Sequence, residues 1–148
     1  KMITIRNLSQ DNIESALALS VDDWQRKYVR TNAEMIALAY VQPQELFPVA
    51  LYAEEALVGL AFVKKEQKTA IMTLEQIMID QPFQSKSFGS ESVREIAKWI
   101  ETQFDCTLLQ ASIQIGNQWG RETLENAGFM KRSTDLEKRE IEMIYITK

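Results

Sequence analysis

Three stretches carry residue types that could do chemistry together. Gln84-Ser85-Lys86-Ser87-Phe88-Gly89 lies between the end of an apolar, strand-like run and the start of a helical pattern. A loop in that place can aim several main-chain N–H groups at one point with a helix dipole behind them, a receptor for an anionic pyrophosphate. Lys86 adds a positive charge. The plainer reading is an ordinary strand-to-helix loop closed by Gly89; no GxxxxGK(S/T) pattern is present, so it is not a P-loop. Glu75 is the second feature, set among Thr73, Leu74, Ile77, Met78 and Ile79. A partly buried carboxyl there would titrate nearer neutrality, as a general base requires; alternatively it points outward from a half-exposed strand. The third is Asn117-Gln118-Trp119-Gly120-Arg121-Glu122-Thr123-Leu124-Glu125-Asn126-Ala127-Gly128-Phe129. Asn117 suits a helix N-cap that could also hydrogen-bond an amide-bearing ligand, and Gly120 would let a ligand approach the backbone. A simple capped helix with a glycine stop fits the same residues.

The missing residue types narrow the chemistry. The 148 residues include no histidine, which removes a Ser-His-Asp triad, a histidine base and every histidine-ligated metal site. One cysteine, Cys106, excludes an internal disulfide and a multi-thiolate cluster, so no metal is expected. With no histidine to activate it, and with Phe104 and Leu108 nearby, Cys106 reads as a buried structural thiol. Seventeen basic and 21 acidic residues give a net charge of −4, against a general nucleic-acid binder and weakly toward a cationic partner. The longest apolar run, Ala56 to Val63, is far short of the ~20 residues of a membrane helix. The first residues, Lys1-Met2-Ile3-Thr4-Ile5-Arg6, lack a signal peptide's apolar stretch. The expected setting is a reducing cytoplasm.

The elements that must position these residues follow from period and punctuation. No repeat or linker divides the chain, so one domain over residues 1–148 is expected. Ile3 and Ile5 alternate as in a strand; a helix then starts near Ser9 with Ile13, Ala16, Leu17, Val21 and Trp24 on one face. Thr31-Asn32-Ala33-Glu34 is a capping box opening a second helix that runs to Pro43. Residues 49–52 and 57–63 make a hairpin about Glu54-Glu55, and a strand at 70–79 stops at Gln81-Pro82. A helix bearing Val93, Ile96, Ala97, Ile100 and Phe104, a strand at 108–113, a helix at 117–126 stopped by Gly128, and strands at 129–133 and 141–146 complete the order. The order β-α-α-β-β-β-α-β-α-β-β implies a mixed α/β sheet, parallel where a helix crosses between strands. Trp24, Trp99 and Trp119 at helical spacing fit core positions.

Taken together, these motifs resemble the GNAT superfamily of acetyl-CoA-dependent N-acetyltransferases over nearly the whole chain. The family's loop pattern, Gln/Arg-x-x-Gly-x-Gly/Ala, maps onto Gln84, Ser87 and Gly89, and its later signature onto Asn117, Gly120, Thr123, Leu124 and Gly128-Phe129. Ser20-Val21-Asp22-Asp23-Trp24-Gln25, Tyr28-Val29, Asn32, residues 37–40, residues 47–52 and Leu74-Glu75-Gln76-Ile77-Met78-Ile79-Asp80 are similar to the bacterial spermine/spermidine acetyltransferase branch. Two departures stand out. Ser87 replaces a usual glycine, straining any positive-φ turn by ~1 kcal/mol or more, and Leu124 replaces the tyrosine often assigned as general acid.

The resemblance implies a central sheet splayed at a CoA site and direct acetyl transfer to a primary amine, with polyamines as candidate acceptors. Ile77, Met78 and Ile79 would meet the pantetheine arm. Gln84, Ser85, Lys86, Ser87, Phe88, Gly89 and Ser90 would hold the pyrophosphate, with Asn117, Gly120 and Arg121 nearby. Glu75 would deprotonate the amine through water, and a backbone N–H near Met78 would stabilise the oxyanion, worth ~3 kcal/mol in such sites. Asp22-Asp23, Trp24, Glu34 and Glu45 would face a polyamine's charges; solvated helix faces and a capping Glu34 are the plainer alternative. Proteins resembling this one are commonly dimers. A rival with the same fold grips CoA or an acyl-CoA without turnover.

Overall fold

The computed structural model describes residues 2–147. Its elements are β1 (Ile3–Arg6), α1 (Ile13–Ala18), a 3-10 turn (Asp23–Tyr28), α2 (Asn32–Val41), β2 (Leu46–Ala53), β3 (Ala56–Lys65) and β4 (Ile71–Ile79). A second 3-10 turn (Gln81–Lys86), α3 (Phe88–Gln103), β5 (Leu108–Gln114), α4 (Gln118–Asn126), β6 (Met130–Asp135) and β7 (Glu140–Ile146) follow. The expected order of strands and helices holds throughout. Seven strands form one sheet in the order β1-β2-β3-β4-β5-β7-β6. Every pairing is antiparallel except β4 with β5, where α3 provides the crossover.

Each face of the sheet buries one apolar cluster. Val93, Ile96, Ala97 and Ile100 of α3, with Leu124 of α4, pack on Val49, Leu51, Val63, Met72, Leu74 and Leu109. Ala16 of α1 and Met35 and Ala39 of α2 pack on Leu46, Leu60, Phe62 and Met78 from the other side. Trp99 and Trp119 lie against the first cluster, as expected, but Trp24 is half exposed on the first 3-10 turn.

The first helix is shorter than its apolar spacing suggests. Asn12, not Ser9, stands at its N-cap, and the Asn12 side chain accepts the Ser9 N–H. At the other end Leu19 is extended, because Ser20 is claimed by the end of β4: its N–H donates to Asp80 Oδ1 and its carbonyl accepts from Gln81 N. Tertiary hydrogen bonds override a periodic pattern that would otherwise carry the helix to Trp24. The α2 capping box forms as read, with Thr31 and Glu34 satisfying each other's main-chain N–H groups.

Candidate active site

The site is made by two neighbouring strands that part company. β4 and β5 pair only at Ile71–Leu108, Met72–Leu109 and Thr73–Gln110. At that last rung Gln110 Nε2 donates to Thr73 Oγ1 (3.0 Å), and Thr73 donates to Glu66 (2.6 Å), pinning the vertex. Beyond it β4 stays with β3 and β5 stays with β7, so an angle opens between them.

A bulge in β4 coincides with the split. Val63 pairs with Leu74 but Phe62 with Gln76, leaving Glu75 as the extra residue. A bulge shifts the face alternation by one. Before it Met72 and Leu74 enter the α3–α4 core; after it Ile79 does, while Met78 turns to the α1–α2 core. The open angle is a cleft of about 220 Å³, lined by Leu74, Glu75, Gln76 and Ile77 of β4 and by Ala111 to Gln114 of β5. Val21, Gln25, Tyr28 and Val29 close one side, and Asn117, Trp119, Gly120, Leu124 and Glu140 the other.

Glu75 is the carboxylate in the β4 wall. Its side chain reaches solvent, yet the walls remove part of its hydration, and that desolvation raises its pKa above the ordinary 4.5. Lys64 and Arg30 pull in the opposite direction and Glu66 adds to the rise. Arg30 is placed by Gln76, whose amide accepts Arg30 N–H (3.0 Å) and donates to Arg30 O (2.9 Å).

The main chain of β4 corrects one expectation. Asp80 N donates to Val58 O, and a Cβ on Gly59 would sit 2.5 Å from Met78 O. Met78 therefore turns its main-chain groups toward β3, and strand alternation turns those of Ile77 and Ile79 toward the open side. The Met78 side chain is buried on the far face, within 3.8 Å of Asn32 Nδ2. The cleft-facing N–H groups belong to its neighbours.

At the end of β4 the expected open loop is instead a 3-10 turn running directly into α3. Ser87 joins them at φ +61°, the left-handed conformation its serine makes costly. Its hydroxyl donates to Glu91 rather than capping the helix. The first helical bond runs from Glu91 N to Ser87 O, so the N–H groups of Phe88, Gly89 and Ser90 lie ahead of the α3 ladder. Lys86 is exposed beside them, and Ser85 lies in the 3-10 turn. Gln84 spends its amide N–H on Ile79 O (2.9 Å), tying turn to strand. Gly89 is needed for packing: a Cβ there would lie 3.0 Å from Trp119 and 3.2 Å from Thr123.

Across the cleft, Asn117 caps α4 by accepting Gly120 N–H (3.0 Å). A Cβ on Gly120 would lie 2.7 Å from that Asn117 amide, so this glycine makes room for the cap while its backbone lines the cleft. Arg121 pairs with Glu125 (3.0 Å). Leu124 is 1% exposed, and its apolar side chain lines the cleft where the resemblance expects a tyrosine.

The acidic and aromatic residues expected to meet an amine are not gathered in the cleft. Asp23 is exposed and paired with Arg26 (3.2 Å), Trp24 is on the same turn, Glu34 is in the capping box, and Glu45 accepts from Gln67. What that turn does supply is Gln25 and Tyr28. Their spacing of three, eclipsed in a 3-10 turn, was the signal available in sequence. Glu140 was not among the expected residues either; only the packing of β7 against β5 brings it in. Cys106 is buried, donates to Leu108 O, and lines no part of the cleft; desolvation raises its thiol pKa. No group of His, Cys, Asp or Glu among the described residues could hold a metal ion, and no helix among them is long and apolar enough to cross a membrane.

Comparison with known proteins agrees with this architecture. No curated protein sequence matches the chain. Among solved structures, AAC(6')-Ib in complex with paromomycin and acetyl-CoA superposes with a TM-score of 0.81 at 15% identity, covering 99% of this chain and 94% of that one. Spermidine N-acetyltransferase from Vibrio cholerae, in complex with CoA and spermine, gives 0.79 at 15% identity over 98% and 95%. PaiA N-acetyltransferase from Thermoplasma acidophilum, in complex with coenzyme A, gives 0.73 at 15% over 99% and 100%. Their likeness is one of fold. The sequence profile of the acetyltransferase (GNAT) family matches residues 8–129, and with the split sheet, the β4 bulge and the uncapped α3 this chain belongs to that family.

Proposed function

We propose that the protein transfers an acetyl group from acetyl-CoA to a primary amine, directly and within a ternary complex. The observation that carries this reading is the open angle between β4 and β5, with Glu75 inside it and the uncapped N-terminus of α3 at its end. Main-chain N–H groups of Phe88, Gly89 and Ser90, with Lys86 beside them, take the pyrophosphate. Gln84 and Ser85 hold the turn that presents them, and Ser87 sets its exit angle. The edge of β4 that β5 leaves open, at the Ile77 carbonyl and the Ile79 N–H, meets the pantetheine amides as a further strand would, Ile79 O being held by Gln84. Asn117, Gly120 and Arg121 form the opposite bank.

Glu75 accepts the proton that makes the amine nucleophilic, through water, and its raised pKa suits that task near neutral pH. The N–H of Ile77, next to Met78, faces the developing oxyanion. A polyamine is the acceptor class we favour. The branch resemblance, the Vibrio cholerae neighbour bound to spermine and the two cleft carboxylates, Glu75 and Glu140, support it. Asp23 and Trp24 stand on the turn at the approach to the cleft, where a long cation would pass. A reducing cytoplasm suits the lone Cys106 thiol, and a homodimer is the assembly that resembling proteins favour.

The test is release of free thiol from acetyl-CoA in the presence of spermidine, lysine or peptide amines. Saturable release establishes the transferase. Calorimetric binding of acetyl-CoA without release from any amine would turn the reading to a CoA-binding module. No binding near millimolar cofactor would end both.

A further inference from the structure

The cleft lacks the hydroxyl that its family resemblance expects, because Leu124 is apolar. When the thioester C–S bond breaks, the electron pair goes to sulfur, and the thiolate needs a proton. We infer that the Tyr28 hydroxyl supplies it from the opposite wall, as the general acid of this enzyme. The inference rests on the transferase reading above.

Tyr28 ends the 3-10 turn that covers the cleft, and it lines the same space as Glu75, Ser112, Asn117 and Leu124. Its hydroxyl makes no hydrogen bond to any described residue. It reaches the loop between β5 and α4, where a Cβ on Gly116 would lie 3.0 Å from Tyr28 Oη. Gly116 has φ +106°, so a conformation that favours glycine also leaves the space the phenol occupies.

The other proton carriers around the cleft are weaker candidates. The Gln76 amide is committed to Arg30 on both atoms, and the Asn117 oxygen caps α4. The Ser112 hydroxyl and the Trp119 indole are far weaker acids than a phenol. Glu75 is occupied as the base.

The proton balance closes. Glu75 takes one proton from the incoming ammonium and returns it to solvent. The neutral amine nitrogen bonds to the carbonyl carbon, and collapse of the adduct breaks C–S. Sulfur takes the Tyr28 proton and leaves as the thiol. The nitrogen sheds its second proton through solvent, which restores the phenol. One proton is released per acetyl transferred, and no further reactant is needed.

Tyr28→Phe keeps the ring and removes only the oxygen. With acetyl-CoA and whichever amine the wild type turns over, kcat is expected to fall ten- to hundredfold. KM for each substrate should stay within about twofold. The alkaline limb of log kcat against pH should vanish in the variant. The charged groups around the phenol are Lys27 on its own turn, 5.2 Å from the ring, and Glu75 and Glu140 from β4 and β7. All three remain in the variant, so a limb that disappears belongs to Tyr28. A melting temperature equal to that of the wild type excludes a packing defect. Should kcat stay within twofold, or the alkaline limb survive, the thiolate takes its proton elsewhere and the inference is overturned. Failure of the wild type itself to turn over any amine would instead count against the transferase reading.

Discussion

Glu75 combines two properties: it is the extra residue of a bulge and a carboxyl whose pKa is raised by lost hydration. The bulge sets it at the mouth of the split, and the desolvation lets it hold a proton closer to neutral pH than a free glutamate does. Glu75→Gln should lower kcat by ~10²–10⁴-fold. In the wild type, activity should fall as pH drops through a pKa above 4.5, and this acid limb should be absent from the variant's residual rate. The stability effect has the opposite sign. A carboxyl with a raised folded-state pKa favours folding below its unfolded pKa and loses that contribution as pH rises. At pH 7 Glu75→Gln should therefore melt at or above the wild-type temperature, with the gap closing below about pH 4.5. A pH series of thermal melts reads this directly; a variant less stable than wild type at pH 7 would contradict the assigned cause.

The turn from β4 into α3 shows how an element can be built under strain. Ser87 occupies the left-handed region at φ +61°, and its hydroxyl recovers only an exposed bond to Glu91 (3.1 Å). Ser87→Gly should stabilise the chain by ~1 kcal/mol, about 2–4 °C for a protein of this size. Scanning calorimetry would show it, and no gain would mean that the Glu91 contact offsets the strain. The same turn is anchored by Gln84 on Ile79 O, so the α3 amides are fixed relative to the β4 edge before any ligand arrives. Such preorganisation lowers the ordering cost of binding. The first 3-10 turn is the counterpart on the opposite bank, ended by the Ser20–Asp80 bond at one side and the Gln76–Arg30 pair at the other. Both covering elements are thus tied to β4.

Across the whole molecule, two cores hold a sheet whose middle is incompletely paired. A ligand that fills the split should bind the native state alone and raise its stability, by ~2.7 kcal/mol at a hundred times Kd. Acetyl-CoA should accordingly raise the melting temperature by several degrees. Lys86→Ala should reduce that shift at fixed cofactor and raise KM for acetyl-CoA several-fold, leaving KM for the amine in place. An unchanged shift would remove Lys86 from the pyrophosphate site.

The sequence by itself determined the element order, the two apolar faces, the α2 capping box and the positions of Glu75, Asn117 and the turn before α3. Each of these rests on local spacing, capping chemistry or hydrophobic period, which act over a few residues. Tertiary structure alone decided where α1 stops, which β4 amides face the cleft, and that Glu140 lines it while Asp23 and Glu34 do not; the spacing of Gln25 and Tyr28 put them on one face of a 3-10 turn, and the fold laid that face on the cleft. Those outcomes depend on a one-residue bulge in strand register and on hydrogen bonds between residues far apart in the chain, such as Ser20 with Asp80, 60 positions away. A single extra residue exchanges the faces of every position after it, and no local pattern records that exchange.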